Sequence, residues 1–124
     1  MKTILPLCVC LVLFTAPCPG ATEPNREAIQ SVAAGKSKTA RASWWGFDPQ
    51  ESTAALQAAI RSGAEKVVVE KMDSPWIVDR IELVSNQEIV FEPGAIVEAK
   101  RGAFHGKRDS LLSAWNASNI RLVG

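Results

Sequence analysis

Several groups of residues in this chain have types that could do chemistry. Asp73, Asp79, Glu82, Glu88, Glu92 and Glu98 could supply a pair of carboxylates for acid and base catalysis, or oxygens for a calcium site. Most of them alternate with apolar residues, so solvated outward strand positions are the ordinary reading. A basic loop follows, in which Lys100, Arg101, His105, Lys107 and Arg108 surround Gly102, Phe104 and Gly106, with Asp109 as the acid nearby. Arginine forks match carboxylate geometry, so Arg101, His105, Lys107 and Arg108 are the candidate contacts to an anionic sugar, against the plainer reading of a mobile surface loop. His105 is the single histidine, which leaves no second imidazole for a metal site. Trp44, Trp45, Trp76 and Trp115 could stack on sugar rings, although Trp76 falls in register with Val78 and reads as core. Asn116, Ala117 and Ser118 form a glycosylation acceptor pattern.

These residues need elements to position them, and the segment 48–69 is the most legible. Asp48, Pro49, Gln50 and Glu51 form a helix start. The Asp48 carboxylate can accept from a free amide of the first turn, Pro49 gives up an amide unpaired anyway, and Glu51 can reach back to the Asp48 amide. The helix is expected to run to about Ser62, with Thr53, Leu56, Ala59 and Ile60 on one stripe and Gly63 as its stop. The period then changes to two. Val67 and Val69, Trp76 and Val78, Ile81 and Leu83, and Ile89 and Phe91 mark short strands separated by bends, and Pro93-Gly94 turns the chain before another strand over 95–99. Ser85-Asn86 and Ser118-Asn119 each place a polar corner before an alternating apolar strand.

Before these elements, residues 1–20 read as a secretory signal peptide. Lys2 supplies the positive start, 4–15 form an apolar run too short to span a bilayer, and small residues follow up to Gly20. A secreted or periplasmic location is therefore expected. All three cysteines, Cys8, Cys10 and Cys18, lie in this segment, so the remainder has no disulfide framework or cysteine-based zinc site. Removing Lys2 leaves basic and acidic residues equal in number, which offers no attraction to nucleic acid, and no second apolar stretch approaches membrane-spanning length. Residues 21–43 are small and polar, with Ile29 and Val32 as the large apolar residues of a weak helix over 26–34. The segment reads as a flexible linker, and the folded part should begin near Trp44.

The string from Ser52 to Ile60, with Gly63-Ala64 and Val67-Val68-Val69, resembles the start of pectate-lyase-like right-handed parallel β-helix proteins. The pieces around Trp76-Ile77-Val78, Ser85-Asn86, Ile89-Val90-Phe91 and Asn119-Ile120-Arg121 resemble that family's first coils. The resemblance implies an all-β fold, the N-terminal portion of a solenoid with an α-helical cap over 44–124. Corner asparagines would stack, and Ile120, Leu122 and Val123 would lie on an open sheet edge prone to pairing. It further implies a polysaccharide lyase or glycoside hydrolase lineage acting on acidic polysaccharide. No position matches the family's catalytic or calcium-binding motifs, so the chain is expected to be a non-catalytic fragment without cofactor. A glycan-binding or surface-interaction module using the loop 100–108 is the alternative, and a small α+β domain with antiparallel strands is the third reading.

Overall fold

In a computed structural model, the structure describes residues 21–106 and 109–124. The signal-peptide reading, with the location inferred from it, falls on 1–20 and lies outside the described residues. The elements run in the order α1 (Arg26–Ala33), β1 (Thr39–Arg41), a 3-10 turn (Ala42–Trp45), α2 (Thr53–Ile60), β2 (Lys66–Val69), β3 (Trp76–Val78), β4 (Ile81–Glu82), β5 (Gln87–Phe91), β6 (Val97–Ala99), β7 (Leu112–Ser113) and β8 (Ile120–Val123). The strands form three sheets with orders β1-β2-β5-β8, β3-β6 and β4-β7. Every pairing is parallel, which removes the antiparallel α+β reading.

The expected all-β right-handed β-helix is corrected. The described residues form a mixed α/β fold, with two α-helices and three separate small sheets rather than one continuous solenoid. The physical reason lies in what fills the core. Strands of two to five residues bury too little surface alone, and the helices supply Val32, Leu56, Ala59 and Ile60 to the same cluster as Val67, Val69, Trp76, Val78, Ile81 and Ile89. Trp76 anchors that cluster. It is fully buried, its ring meets Phe47 edge-on at 4.8 Å, and its Nε1 donates to the Glu70 carbonyl oxygen at 2.8 Å.

Residues 21–43, expected as a linker, carry structure in this fold. The Asn25 side chain accepts from the Ala28 amide and caps α1. Thr22 exchanges two hydrogen bonds with Phe47, and β1 pairs with β2 through Ala40 and Val67.

The helix start also differs from expectation, since α2 begins at Thr53 rather than at Pro49. Asp48 Oδ1 accepts from the Gln50 amide in a local turn. The Ser52 hydroxyl, in a residue that is 2 % exposed, donates to the Asp48 carbonyl and accepts from the Asp48 amide. Glu51 turns instead to Lys100 and Thr53, so the reciprocal cap does not form. The expected stripe is present, because Leu56, Ala59 and Ile60 are buried. Past the last turn, Gly63 takes φ +89°, a left-handed conformation that only glycine adopts at no steric cost.

The helices cover one end of the sheets. The Ser52 amide donates to the Ile77 carbonyl, and the Asp79 amide donates to Thr53 Oγ1, so the start of α2 covers the free edge of β3. On β4, the Gln57 side chain donates to the Glu82 carbonyl and accepts from the Glu82 amide at 2.9 and 2.8 Å. A side-chain amide here replaces the two bonds of a missing strand. α1 packs on β1.

Candidate functional site

The basic loop holds the residues that the sequence marks for contact with an anion. β6 delivers Lys100 at its end, where the amide donates to the Val78 carbonyl and the ammonium pairs with Glu51. The Lys100 ammonium and the Thr53 hydroxyl hold the Glu51 carboxyl below its ordinary range. Farther along, Asp109 gathers the loop: Oδ2 accepts from the amides of His105 and Gly106 at 3.0 and 2.8 Å, and Oδ1 pairs with Arg80 at 2.9 Å. These contacts, led by the Gly106 amide, hold the Asp109 carboxyl below its ordinary value. Arg101 and His105 are exposed, while Lys107 and Arg108 lie outside the described residues. Lys100 is thus paired with a carboxylate from the segment before α2, and Asp109 with Arg80 from the segment between β3 and β4.

The carboxylates do not converge. Glu82 pairs with Arg61, Glu92 accepts from the Lys71 amide, and Asp79 accepts from the Arg80 amide. Among the described residues no group of three or more His, Cys, Asp or Glu side chains could hold a metal ion. The sequence reading passed over Glu70, whose carboxylate accepts from the Ser43 amide and pairs with Arg41, an arrangement that anchors the turn after β1. Trp44 and Trp45 pack against the core as partly buried residues. Trp115 is 80 % exposed, beside a shallow groove of about 410 Å³ formed with Arg80, Asp109, Ser110 and Ser113.

The most distinctive site is the end of the sheets opposite α2. Strand registers align Ala40 with Val67, Val67 with Ile89, and Ile89 with Leu122. Alternation places this column on the core face of the four-stranded sheet. Ala40 and Val67 are 0 % exposed and Ile89 is 2 %, but Leu122 is 50 % exposed. The core-facing column therefore starts closed and ends open. The same holds in the second sheet, where buried Trp76 and Val78 stand beside half-buried Val97 and exposed Ala99. In the third, buried Ile81 stands beside half-buried Leu112.

β6, β7 and β8 each pair on one side only. The exposed large apolar residues, Ile96, Trp115 and Leu122, lie in or within two residues of those three strands. Sequence had marked Ile120, Leu122 and Val123 as an open edge. The register adds which of them face the core, namely Ile120 and Leu122, aligned with buried Gln87 and Ile89. The expected asparagine corners also meet, with Asn119 Nδ2 donating to Asn86 Oδ1 at 3.0 Å. Asn86 and Asn119 have φ 59° and 60°, the left-handed region that asparagine tolerates.

The proposed polysaccharide lyase or glycoside hydrolase lineage, and with it the glycan-binding use of the loop 100–108, is corrected. The fold is mixed α/β, the carboxylates are dispersed, Lys100 is paired with Glu51, and Asp109, the acid beside the loop, is paired with Arg80. The resemblance to the pectate-lyase-like family is corrected with them: compared with models of known protein families, with curated proteins and with solved structures, the chain matches none.

Proposed function

We propose that this protein is a docking module that takes up an extended polypeptide strand across its open end. The observation that carries the reading is the coincidence of three free strand edges, those of β6, β7 and β8, with the exposed apolar residues Ile96, Trp115 and Leu122. An unpaired strand offers a row of backbone donors and acceptors, and an incoming strand satisfies them while its alternate side chains supply selectivity. At β8 the fitting partner carries apolar residues at alternate positions, so that they extend the column ending in Leu122. Burying such surface contributes roughly 25 cal/mol per Å² before the costs of association.

A peptide of the sequence 118–124 supplies that alternation and serves as the probe. Titrated into the labelled chain, it should shift the backbone amide resonances of β8 more than those of α2. The same peptide with methylated backbone nitrogens should bind at least about tenfold more weakly, because hydrogen-bonded strand addition contributes much of the affinity. Equal binding of the two peptides, or no change in the β8 resonances, overturns the reading.

A further inference from the structure

We infer that Asn116 is a carbohydrate attachment site, whose side-chain amide takes an oligosaccharide from a lipid-linked pyrophosphate donor as the chain is exported. The inference is independent of the docking reading and rests on the export expected from residues 1–20.

The acceptor pattern is asparagine, any residue except proline, then serine or threonine. Asn116, Ala117 and Ser118 meet it, whereas Asn25, Asn86 and Asn119 do not. The fold separates the same residue from the other three. Asn25 Oδ1 accepts from the Ala28 amide and caps α1, and the side chains of Asn86 and Asn119 bond to each other. The Asn116 side chain has no such role among the described residues. It is exposed on the connection between β7 and β8, where the backbone takes φ 50°, the left-handed region that asparagine tolerates.

Ser118 is held in a way that leaves its hydroxyl available. Its amide donates to Ser85 Oγ and its carbonyl accepts from the Asn86 amide, each at 3.0 Å. These bonds fasten its backbone to the preceding corner, while the residue stays exposed. A group attached at Asn116 therefore displaces no packed side chain and breaks no bond that holds the fold. It adds a bulky, solubilising surface beside exposed Trp115.

The chemistry needs that freedom. An amide nitrogen is a poor nucleophile because its lone pair is shared with the carbonyl, so the transferase must grip and turn the acceptor, and the hydroxyl two residues on is its handle. Nδ2 attacks the anomeric carbon of the first sugar, and the C–N bond forms as the C–O bond to the pyrophosphate breaks. The amide proton passes to a base of the transferase, and the lipid pyrophosphate leaves with the electron pair. Nothing is oxidised or reduced.

The test translates the full chain from residue 1 in the presence of microsomes from the endoplasmic reticulum. Wild type should give a protease-protected product that migrates more slowly and returns to the faster position after treatment with an amidase that removes asparagine-linked glycans. Peptide mass spectrometry should place the resulting aspartate at position 116. Asn116→Gln should abolish the slower band. Ser118→Ala should abolish it as well, although it leaves Asn116 and the backbone bonds of Ser118 in place, whereas Ser118→Thr should retain it. Modification precedes folding, so instability of a variant does not obscure the result. A protected chain that is not shifted, or a shift that persists in Asn116→Gln, overturns the site. A chain that the microsomes do not take up overturns it together with the export reading.

Discussion

Gln87 is the residue whose replacement gives the most informative test of how the two layers of the fold are joined. It is 3 % exposed, at the start of β5, and its Nε2 donates to the carbonyls of Ile60 and Ala64 at 2.9 Å each. One side chain thus ties the end of α2 and the segment after Gly63 to the central sheet. Its Oε1 has no hydrogen-bond partner among the described residues. Gln87→Leu keeps the approximate volume but leaves both carbonyls unpaired. Each orphaned buried group costs about 1–3 kcal/mol, and losing the unpartnered Oε1 returns a similar amount once. The expected net loss is about 2 kcal/mol. For a domain near 100 residues that corresponds to a fall in melting temperature of roughly 8–16 °C. Gln87→Glu should cost more at neutral pH, since a carboxylate would face two carbonyl oxygens, and should recover partly on acidification as the protonated acid regains one donor. Thermal and urea unfolding followed by circular dichroism, with coincident transitions as the check on two-state behaviour, measures both. A Leu variant as stable as wild type would refute the reasoning, because it would mean that the Ile60 and Ala64 carbonyls need no donor from β5.

Other outcomes follow from the same contacts. Glu51 has a carboxyl held below its ordinary value by Lys100 and Thr53; a depressed folded-state pKa contributes stability above the unfolded value and loses it as pH falls through the folded one. Wild type should therefore lose stability on acidification from the ordinary glutamate range downward more steeply than Glu51→Gln, and parallel pH profiles would count against the pairing. Asn119→Ala puts a residue without asparagine's tolerance in the left-handed region and removes the bond to Asn86; it should cost about 1–2 kcal/mol in urea unfolding, while Asn119→Gly should recover part of that. Trp76→Phe removes the bond to the Glu70 carbonyl and part of the buried ring, and should lower the unfolding free energy by about 1–3 kcal/mol.

Much of the local structure was legible because its causes are local. The stripe of Leu56, Ala59 and Ile60 and the alternations at Val67–Val69 and Trp76–Val78 follow from side-chain periodicity, and the burial pattern agrees with them. Asp48 misled because Asp-Pro-Gln-Glu satisfies the local rules for a helix start equally well. What displaced it was Ser52, bonded back to Asp48, and the distant Lys100, which draws Glu51 away. Residues 21–43 gave no periodic signal, since α1 buries one residue, Val32, and the segment is held largely by backbone bonds to Trp44 and Phe47. In the loop the positive charges were visible from composition, but the pairing of Lys100 depends on Glu51, and that of Asp109 on Arg80, both brought near by other elements. The open edge was visible as apolar alternation at 120–123. Which of those residues face the core required the register with β5.

The covered end also carries an implication for how the chain acquires its structure. The helices and β1 through β4 precede in sequence the strands that pair upon them, and β5, β6, β7 and β8 each add to a strand already synthesised. During synthesis the earliest segments leave the ribosome first. Each later strand then meets a finished template, so assembly can advance in one direction by accretion, with the growing face always the one that still awaits a neighbour.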